Sequence, residues 1–571
     1  MRASSPRGRT GAALGSALAA AVVFGGAASA PARVPGGTAL ERPSPPTGRV
    51  LAILDRRGAG PIERLVERHD LRARQRVPAA SLVAVAPGPG QGVAELREQL
   101  LADPLVKRVE TEHYLQLRSV PNDPAYARPD PNAPNGDAMQ WNLRRQDFEP
   151  AWSISNGSAA KVAIIDTGVS NTQPDLDHVV AAANFGSGTA GSDENGHGTH
   201  VAGLACADSS NGYGMASAGF DCRIAAEKLN VTGNSIDEGS LIAALYNAVD
   251  AQHADVINLS LGGGSSSVAL RDAINHAWAS NAVIVVAASN DQTSDQGYPA
   301  RYVVPSGAGP NLATCPAGDT TSIGCSRGLV VTRGQYDDTN AAGYGSGISL
   351  AAYGDSSPLP APYGLPGIFS TFPANQTTME PLLCLSFPCK PRTSLDGDTR
   401  FAYLFGTSMA APQVSGLAAL IRSIKPGMSA SGVILTIERT ARGGGAWSSQ
   451  LGFGIIDAGR ALAVAAGKDI TPPSSRVKSR RRSRSRRVKL KIARSDADPF
   501  GLSSGIDSVS VFVARGKRRF KLWRKTDKAS IVFKGKRGKR YSFYSQAIDK
   551  AGNREADRAA ADTVTRIRKR G

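Results

Sequence analysis

Residues 406–412 read Gly-Thr-Ser-Met-Ala-Ala-Pro. The small hydroxyl of Ser408 stands between a glycine and the start of an apolar helical run. A serine at such a turn is exposed and aimed, whereas one in mid-helix is not. Taken alone, the string is a helix N-terminus with Thr407 or Ser408 as its cap. Two other stretches change that reading. Residues 162–170, Val-Ala-Ile-Ile-Asp-Thr-Gly-Val-Ser, form a strand-like apolar run that reaches Asp166. Residues 196–203, Gly-His-Gly-Thr-His-Val-Ala-Gly, put His197 at the start of a second helical pattern. A serine acts as a nucleophile when a base lies within hydrogen-bond reach and a carboxylate orients that base. Asp166, His197 and Ser408 supply those three residue types.

Each motif also has a plainer meaning. Asp-Thr-Gly marks paired-carboxylate peptidases too, but no second Asp-Thr-Gly or Asp-Ser-Gly occurs in the chain. His197 and His200 have a spacing that suits a metal, yet no adjacent glutamate or third ligand at zinc-like spacing accompanies them. His200 therefore reads as structural, packed behind the face that carries His197. The chain order Asp, His, Ser is that of subtilisin and differs from the chymotrypsin and α/β-hydrolase orders. With all three segments in view, residues 120–467 resemble the subtilisin-like serine peptidases (subtilases), and within them the thermitase-like members.

The resemblance implies a role for each matched residue. Asp166, His197 and Ser408 become the catalytic triad. Residues 283–290, Val-Ile-Val-Val-Ala-Ala-Ser-Asn, match the strand ending at the oxyanion asparagine, here Asn290, with the Ser408 N–H as second donor. Ser260, Leu261 and Gly262 match the strand that pairs with the substrate main chain. Gly297, in Gly-Tyr-Pro-Ala, falls at the base of the pocket for the side chain preceding the cut bond, which implies room for large apolar groups. Asp123, Asp175 and Asn211, with the carbonyls of Tyr213 and Met215, resemble a structural calcium site; otherwise the two aspartates are turn formers. No catalytic cofactor is implied. The chain departs from the family at Ser289 and Gln292, where glycines are usual.

Charge divides the chain sharply. Net charge is +19 overall, but residues 468–571 carry 32 Lys+Arg against 9 Asp+Glu, while residues 121–467 are acidic. The basic end suggests binding to acidic polymers, nucleic acid or anionic surfaces through screened electrostatics. Residues 1–30 have a basic start, a small apolar run and Ala28-Ser29-Ala30, which together read as a secretory signal. Six cysteines fit an oxidising compartment. They permit 15 pairings, of which the local set Cys206–Cys222, Cys315–Cys325 and Cys384–Cys389 is the simplest.

Along the chain, residues 31–119 alternate strand- and helix-like pieces as a small α+β unit. It resembles the subtilase propeptide, which blocks the cleft until removed; Tyr114-Leu115-Gln116-Leu117 would lie there as product. Residues 120–467 alternate apolar strands with helices, which predicts an α/β fold with a mostly parallel sheet and helices on both faces. Residues 468–490 read as a basic, unstructured linker. Residues 491–571 carry short alternating strands and resemble immunoglobulin- or fibronectin-like β-sandwiches. Their aromatics, Phe520, Trp523, Tyr541, Phe543 and Tyr544, read as core rather than as a stacking platform. The expectation is a secreted, monomeric, autoprocessed serine endopeptidase with its own propeptide as inhibitor. The alternative from a different class is a catalytically silent binding protein acting through the basic C-terminal domain.

Overall fold

The computed structural model describes residues 46–569 apart from 56–57, 89, 114–119, 131–132, 134–135, 234, 266, 306–313, 317–318, 323–324, 357–366, 384–390, 517 and 559. The expected signal at 1–30, the stretch 114–117 and the pair Cys384–Cys389 lie outside the described residues.

Residues 46–113 form a β-α-β-β-α-β unit. Its antiparallel sheet runs in the order Arg72–Val77, Leu82–Ala86, Pro46–Leu54, Val106–His113. Helices Ala59–Arg68 and Val93–Leu101 bury Ile62, Leu65, Leu96 and Leu100 against Val50, Val83, Val85 and Val109. The sequence pattern misses strand Arg72–Val77. It is an edge strand, Arg-Ala-Arg-Gln-Arg-Val, with no fully buried residue to mark a period.

The central region holds a seven-stranded sheet ordered Leu350–Tyr353, Leu329–Gly334, Val283–Ala287, Val256–Leu259, Lys161–Asp166, Arg223–Lys228, Val179–Asn184. Every neighbouring pair in it is parallel. Strands Val256–Leu259 and Val283–Ala287 are buried at every residue, so both faces of the sheet are covered, as parallel sheets require. Helix Thr407–Ile424 packs across the four strands at one end and against helix His197–Cys206, while Glu238–Asp250 packs against Val268–Ala279. The core is rich in alanine, valine and isoleucine, small or β-branched side chains that let helix and sheet approach closely. Cys206–Cys222 and Cys315–Cys325 are disulfide-bonded, as the local pairing predicts.

The C-terminal region is a β-sandwich, but it begins earlier than the sequence suggests. Residues 474–478 and 482–483, expected as linker, are strands. Ser475 and Val477 point inward while Arg476 and Lys478 point out, an alternation hidden by the surrounding arginines. One sheet contains Ser474–Lys478, Arg487–Ser495 and Ser530–Lys534; the other contains five strands. Between them Val488, Leu490, Val511, Phe533, Tyr541 and Phe543 form the core, with Trp523 packed against it. Tyr544 instead stacks on Phe512 on the outer side of the larger sheet, with ring centroids 4.5 Å apart.

Candidate active site

Asp166 is the last residue of the central strand Lys161–Asp166, and His197 is the first residue of helix His197–Cys206. The parallel sheet brings that strand end to that helix start, which is where open α/β sheets present functional groups. His197 Nδ1 lies 2.7 Å from Asp166 Oδ1. The carboxylate is 3% exposed and the ring 19% exposed. Asp166 Oδ1 also accepts the Thr167 N–H at 2.7 Å, while its buried Oδ2 has no hydrogen-bond partner among the described residues. Burial works against a charged His197 ring; the Asp166 charge and hydrogen bond and the Asp193 charge outweigh it. The result is a pKa above the ordinary histidine value.

Ser408 is the second residue of helix Thr407–Ile424 and is half-buried. Its hydroxyl donates to the Ser260 carbonyl at 3.1 Å, and Ser260 Oγ donates back to the Ser408 carbonyl at 3.0 Å. The structure thus unites Asp166 and His197 by hydrogen bond and ties Ser408 to the predicted substrate strand rather than to His197.

Asn290 adjoins the serine turn. Its Oδ1 accepts the Thr407 N–H at 2.9 Å, which satisfies one of the unpaired donors at the helix start and fixes the plane of the amide. The two departures from family pattern leave this arrangement intact. Ser289 is not among the residues with positive φ, and its N–H donates to the buried Gln296 side chain at 3.1 Å. Its hydroxyl accepts the Asp291 N–H at 3.2 Å, closing the turn that carries Asn290. Gln292 is exposed in that turn.

Beyond Ser260 the chain emerges from the sheet: Leu261 is half-buried and Gly262 exposed. Gly263 pairs with Tyr298 through two backbone hydrogen bonds, of 2.8 and 2.7 Å. Gly297 is glycine for a backbone reason the sequence does not reveal. Its φ is +65°, and a Cβ there would fall 2.6 Å from the Gly263 carbonyl oxygen. Nearby Asp295 accepts the Gly297 N–H and is ion-paired with Arg301 at 2.6 Å, so its charge is already matched. After this segment, residues 303–328 carry the disulfide Cys315–Cys325; the Cys315 N–H donates to the Ser326 carbonyl, the Arg327 N–H to the Val303 carbonyl, and Trp278 to the Pro316 carbonyl at 3.2 Å.

His200 is fully buried, and its Nε2 donates toward the carbonyls of Ile368 and Ala402. Burial, then the His197 charge, pushes its pKa down to about 3, so it stays neutral. The structural role expected for it agrees with these contacts.

Sequence reasoning passes over Asp193. This buried carboxylate accepts the N–H groups of Gly196 and Thr199, each at 2.8 Å, and the hydroxyls of Thr167 (2.8 Å) and Thr199 (2.6 Å). Thr167 Oγ1 in turn accepts the Gly198 N–H at 2.9 Å. Asp193 therefore clamps the start of the histidine helix to the residue after Asp166. The signal is an acceptor placed to cap the third residue of a helix that opens on a glycine.

Of the predicted cation ligands, Asp123, Asp175 and Asn211 lie together. Asp123 and Asp175 are buried, at 2% and 0% exposure. Asp123 accepts the N–H groups of Ser210 and Asn211, and Asp175 accepts those of Met215 and the Asn211 side chain. The 210–215 loop wraps so closely that a Cβ on Gly214 would lie 2.1 Å from Asp175 Oδ2. Burial, followed by the charges of Asp123 and Asp208, pushes Asp175 up to about 8. The two buried carboxylates are oxygen donors of the kind hard cations take, while Asn211 turns its NH₂ to Asp175 and its oxygen to the Tyr213 N–H.

Geometry of this kind defines a class, a serine-hydrolase type of site on a parallel α/β sheet, with serine at a helix start and an Asp–His pair joining a strand end to a second helix start. The comparisons make the class specific. Residues 157–454 match the subtilase family, Peptidase_S8. Thermitase from Thermoactinomyces vulgaris is 31% identical over 315 residues, spanning 54% of this chain and 91% of thermitase. The thermophilic serine proteinase of Bacillus sp. (strain AK1) is 30% identical over 343 residues, 59% and 68% of the two chains. The extracellular protease of Xanthomonas campestris pv. campestris is 28% identical over 415 residues, 65% and 61%. The chain belongs to the subtilase family and is a serine-type endopeptidase.

Proposed function

We propose that the protein is a secreted endopeptidase that cuts peptide bonds through an acyl-enzyme formed on Ser408. The observations that carry this are the 2.7 Å Asp166–His197 pair, the packing of the His197 helix against the Ser408 helix, and Asn290 bonded to the Thr407 N–H beside Ser408. Ser408 Oγ attacks the scissile carbonyl carbon, and His197 Nε2 takes its proton. Asp166 stays ionised, holding the Nδ1–H and stabilising the imidazolium. The oxyanion receives the Asn290 Nδ2–H and the Ser408 N–H. The C–N bond then breaks as His197 protonates the leaving amine. A water, deprotonated by His197, attacks the ester, releases the acid and restores the Ser408 hydroxyl.

Substrate binds as an extended strand along Ser260, Leu261 and Gly262, an edge that demands little sequence. The preference is for large apolar residues before the cut, since the carboxylate of Asp295, which accepts the Gly297 N–H, is held by Arg301. Residues 31–119 act as the inhibitory propeptide and are removed by the protein's own active site. Calcium, held by Asp123, Asp175, Asn211 and the carbonyls of Tyr213 and Met215, would neutralise two buried carboxylates and tie residue 123 to the body. Export rests on the basic, apolar stretch at 1–30; among the described residues no helix is long and apolar enough to cross a membrane.

The test is expression of Ser408→Ala. The expected product keeps residues 31–119 attached, and the purified variant has no peptidase activity. Normal maturation of that variant without added protease would refute self-processing, and residual hydrolysis would refute the nucleophile.

A further inference from the structure

The smaller sheet of the C-terminal sandwich has an outward face of cations that no carboxylate among the described residues neutralises. Alternation along its strands, unbroken up to Ile492, turns Arg476, Lys478, Arg487, Lys489, Lys491 and Lys534 away from the core. The remaining outward positions on these strands are serine, alanine and valine, with no carboxylate. Among the described residues none of the six cations forms an ion pair. Two like-charged pairs stand directly opposite across the ladder, Lys478 against Lys491 and Arg487 against Lys534. Such pairs destabilise a sheet. A face built this way takes its countercharge from outside the chain.

The geometry narrows the partner. Outward residues repeat about every 6.7 Å along a strand, and neighbouring strands lie about 4.8 Å apart. This gives a lattice of cations that a linear polyanion can follow. Four of the six are lysines, compact charges that meet phosphate oxygens without a fixed fork. Lys478, Lys489, Lys491 and Ser530 line a shallow open depression of about 370 Å³. No aromatic ring is among the outward residues of these strands, so the face offers nothing for nucleobases to stack on. Its outward apolar side chain of any size is Val532, 43% exposed, which is little to insert into a lipid surface.

We propose that this face docks a linear polyol-phosphate polymer, a phosphodiester chain without bases, and so holds the peptidase at an anionic surface. Binding is independent of the active site. It is measured with full-length protein carrying Ser408→Ala, which prevents self-cleavage. The probe is immobilised poly(glycerol phosphate), titrated across a salt series. The face variant is Lys478→Gln/Lys489→Gln/Lys491→Gln. The charge-matched control is Lys521→Gln/Arg524→Gln/Lys528→Gln, on or beside the other sheet.

The face variant is expected to bind about tenfold more weakly at moderate salt. Its slope of log affinity against log salt is expected to be lower by about 2, as three lost phosphate contacts require. The control stays within about threefold of the parent. Unfolding temperature of the face variant is unchanged or higher, because a like-charge pair is removed. Equal losses in both variants would reduce the effect to net charge and overturn the proposal. So would salt-independent binding of the polymer. Oligo-dT or phosphatidylserine vesicles that bind as tightly as the polymer, with the same dependence on the three lysines, would overturn the choice of partner.

Discussion

Substituting Asn290 separates chemistry from scaffolding. Its Oδ1 accepts the Thr407 N–H at 2.9 Å, so the amide is held as the start of the serine helix demands, and Nδ2 is free to meet an oxyanion. Asn290→Ala removes both functions. Loss of one oxyanion donor costs about 3–4 kcal/mol in the transition state, or about 10²–10³ in kcat. With ground-state binding along the proposed 260–262 strand, KM is expected to stay within about twofold. Loss of the Thr407 partner costs about 1–3 kcal/mol of stability, because Thr407 is 1% exposed and its N–H is left unpaired. Asn290→Asp keeps the acceptor and loses the donor. It should unfold near the parent temperature and still lose at least as much kcat, since a negative charge faces the oxyanion. The assay is hydrolysis of a peptide anilide with active sites titrated, alongside thermal unfolding of each variant. If Asn290→Ala lowers the unfolding temperature but leaves kcat within about fivefold, Asn290 is a helix cap and the oxyanion assignment is wrong.

Two further outcomes follow from the buried carboxylates. Asp193→Asn puts an NH₂ where Thr199 donates and removes a negative charge that favours protonated His197. His197 must be neutral to act as base, so its raised pKa sets the acidic limb of kcat/KM above the ordinary histidine value. The variant should move that limb to lower pH and lower kcat more than it raises KM. An unmoved limb would reduce Asp193 to a structural cap. For the predicted cation site, chelation should lower the unfolding temperature, and saturating calcium at about a hundred times its Kd should restore about 2.7 kcal/mol. Asp123→Ala should abolish the difference between the two conditions. A parent protein indifferent to chelator would remove calcium from the account.

Much of the central fold was legible because its signals are local. The apolar runs ending at Asp166 and near Asn290 sit on fully buried parallel strands, which need no alternation and read as continuous hydrophobic stretches. His197 and Ser408 were legible as helix starts after glycine. Asp193 was not, because its role depends on Thr167 and Thr199 closing around it from both sides. Gly297 was read as spare room in a pocket, whereas its positive φ and the approach of Gly263 account for it without a substrate. The strand at 474–478 was hidden by composition. Two inward residues, Ser475 and Val477, carry its period, and a run of arginines follows immediately. The converging carboxylates Asp123 and Asp175 were legible only through resemblance, since 52 residues separate them in sequence.

The central claim is that Ser408 is the nucleophile, activated by His197. Its most direct measurement is mass mapping of the matured protein after reaction with a fluorophosphonate. The account predicts one adduct, on the peptide bearing Ser408, and its loss in His197→Ala. An adduct on another residue, or labelling of Ser408 that is unaffected by His197→Ala, would contradict it.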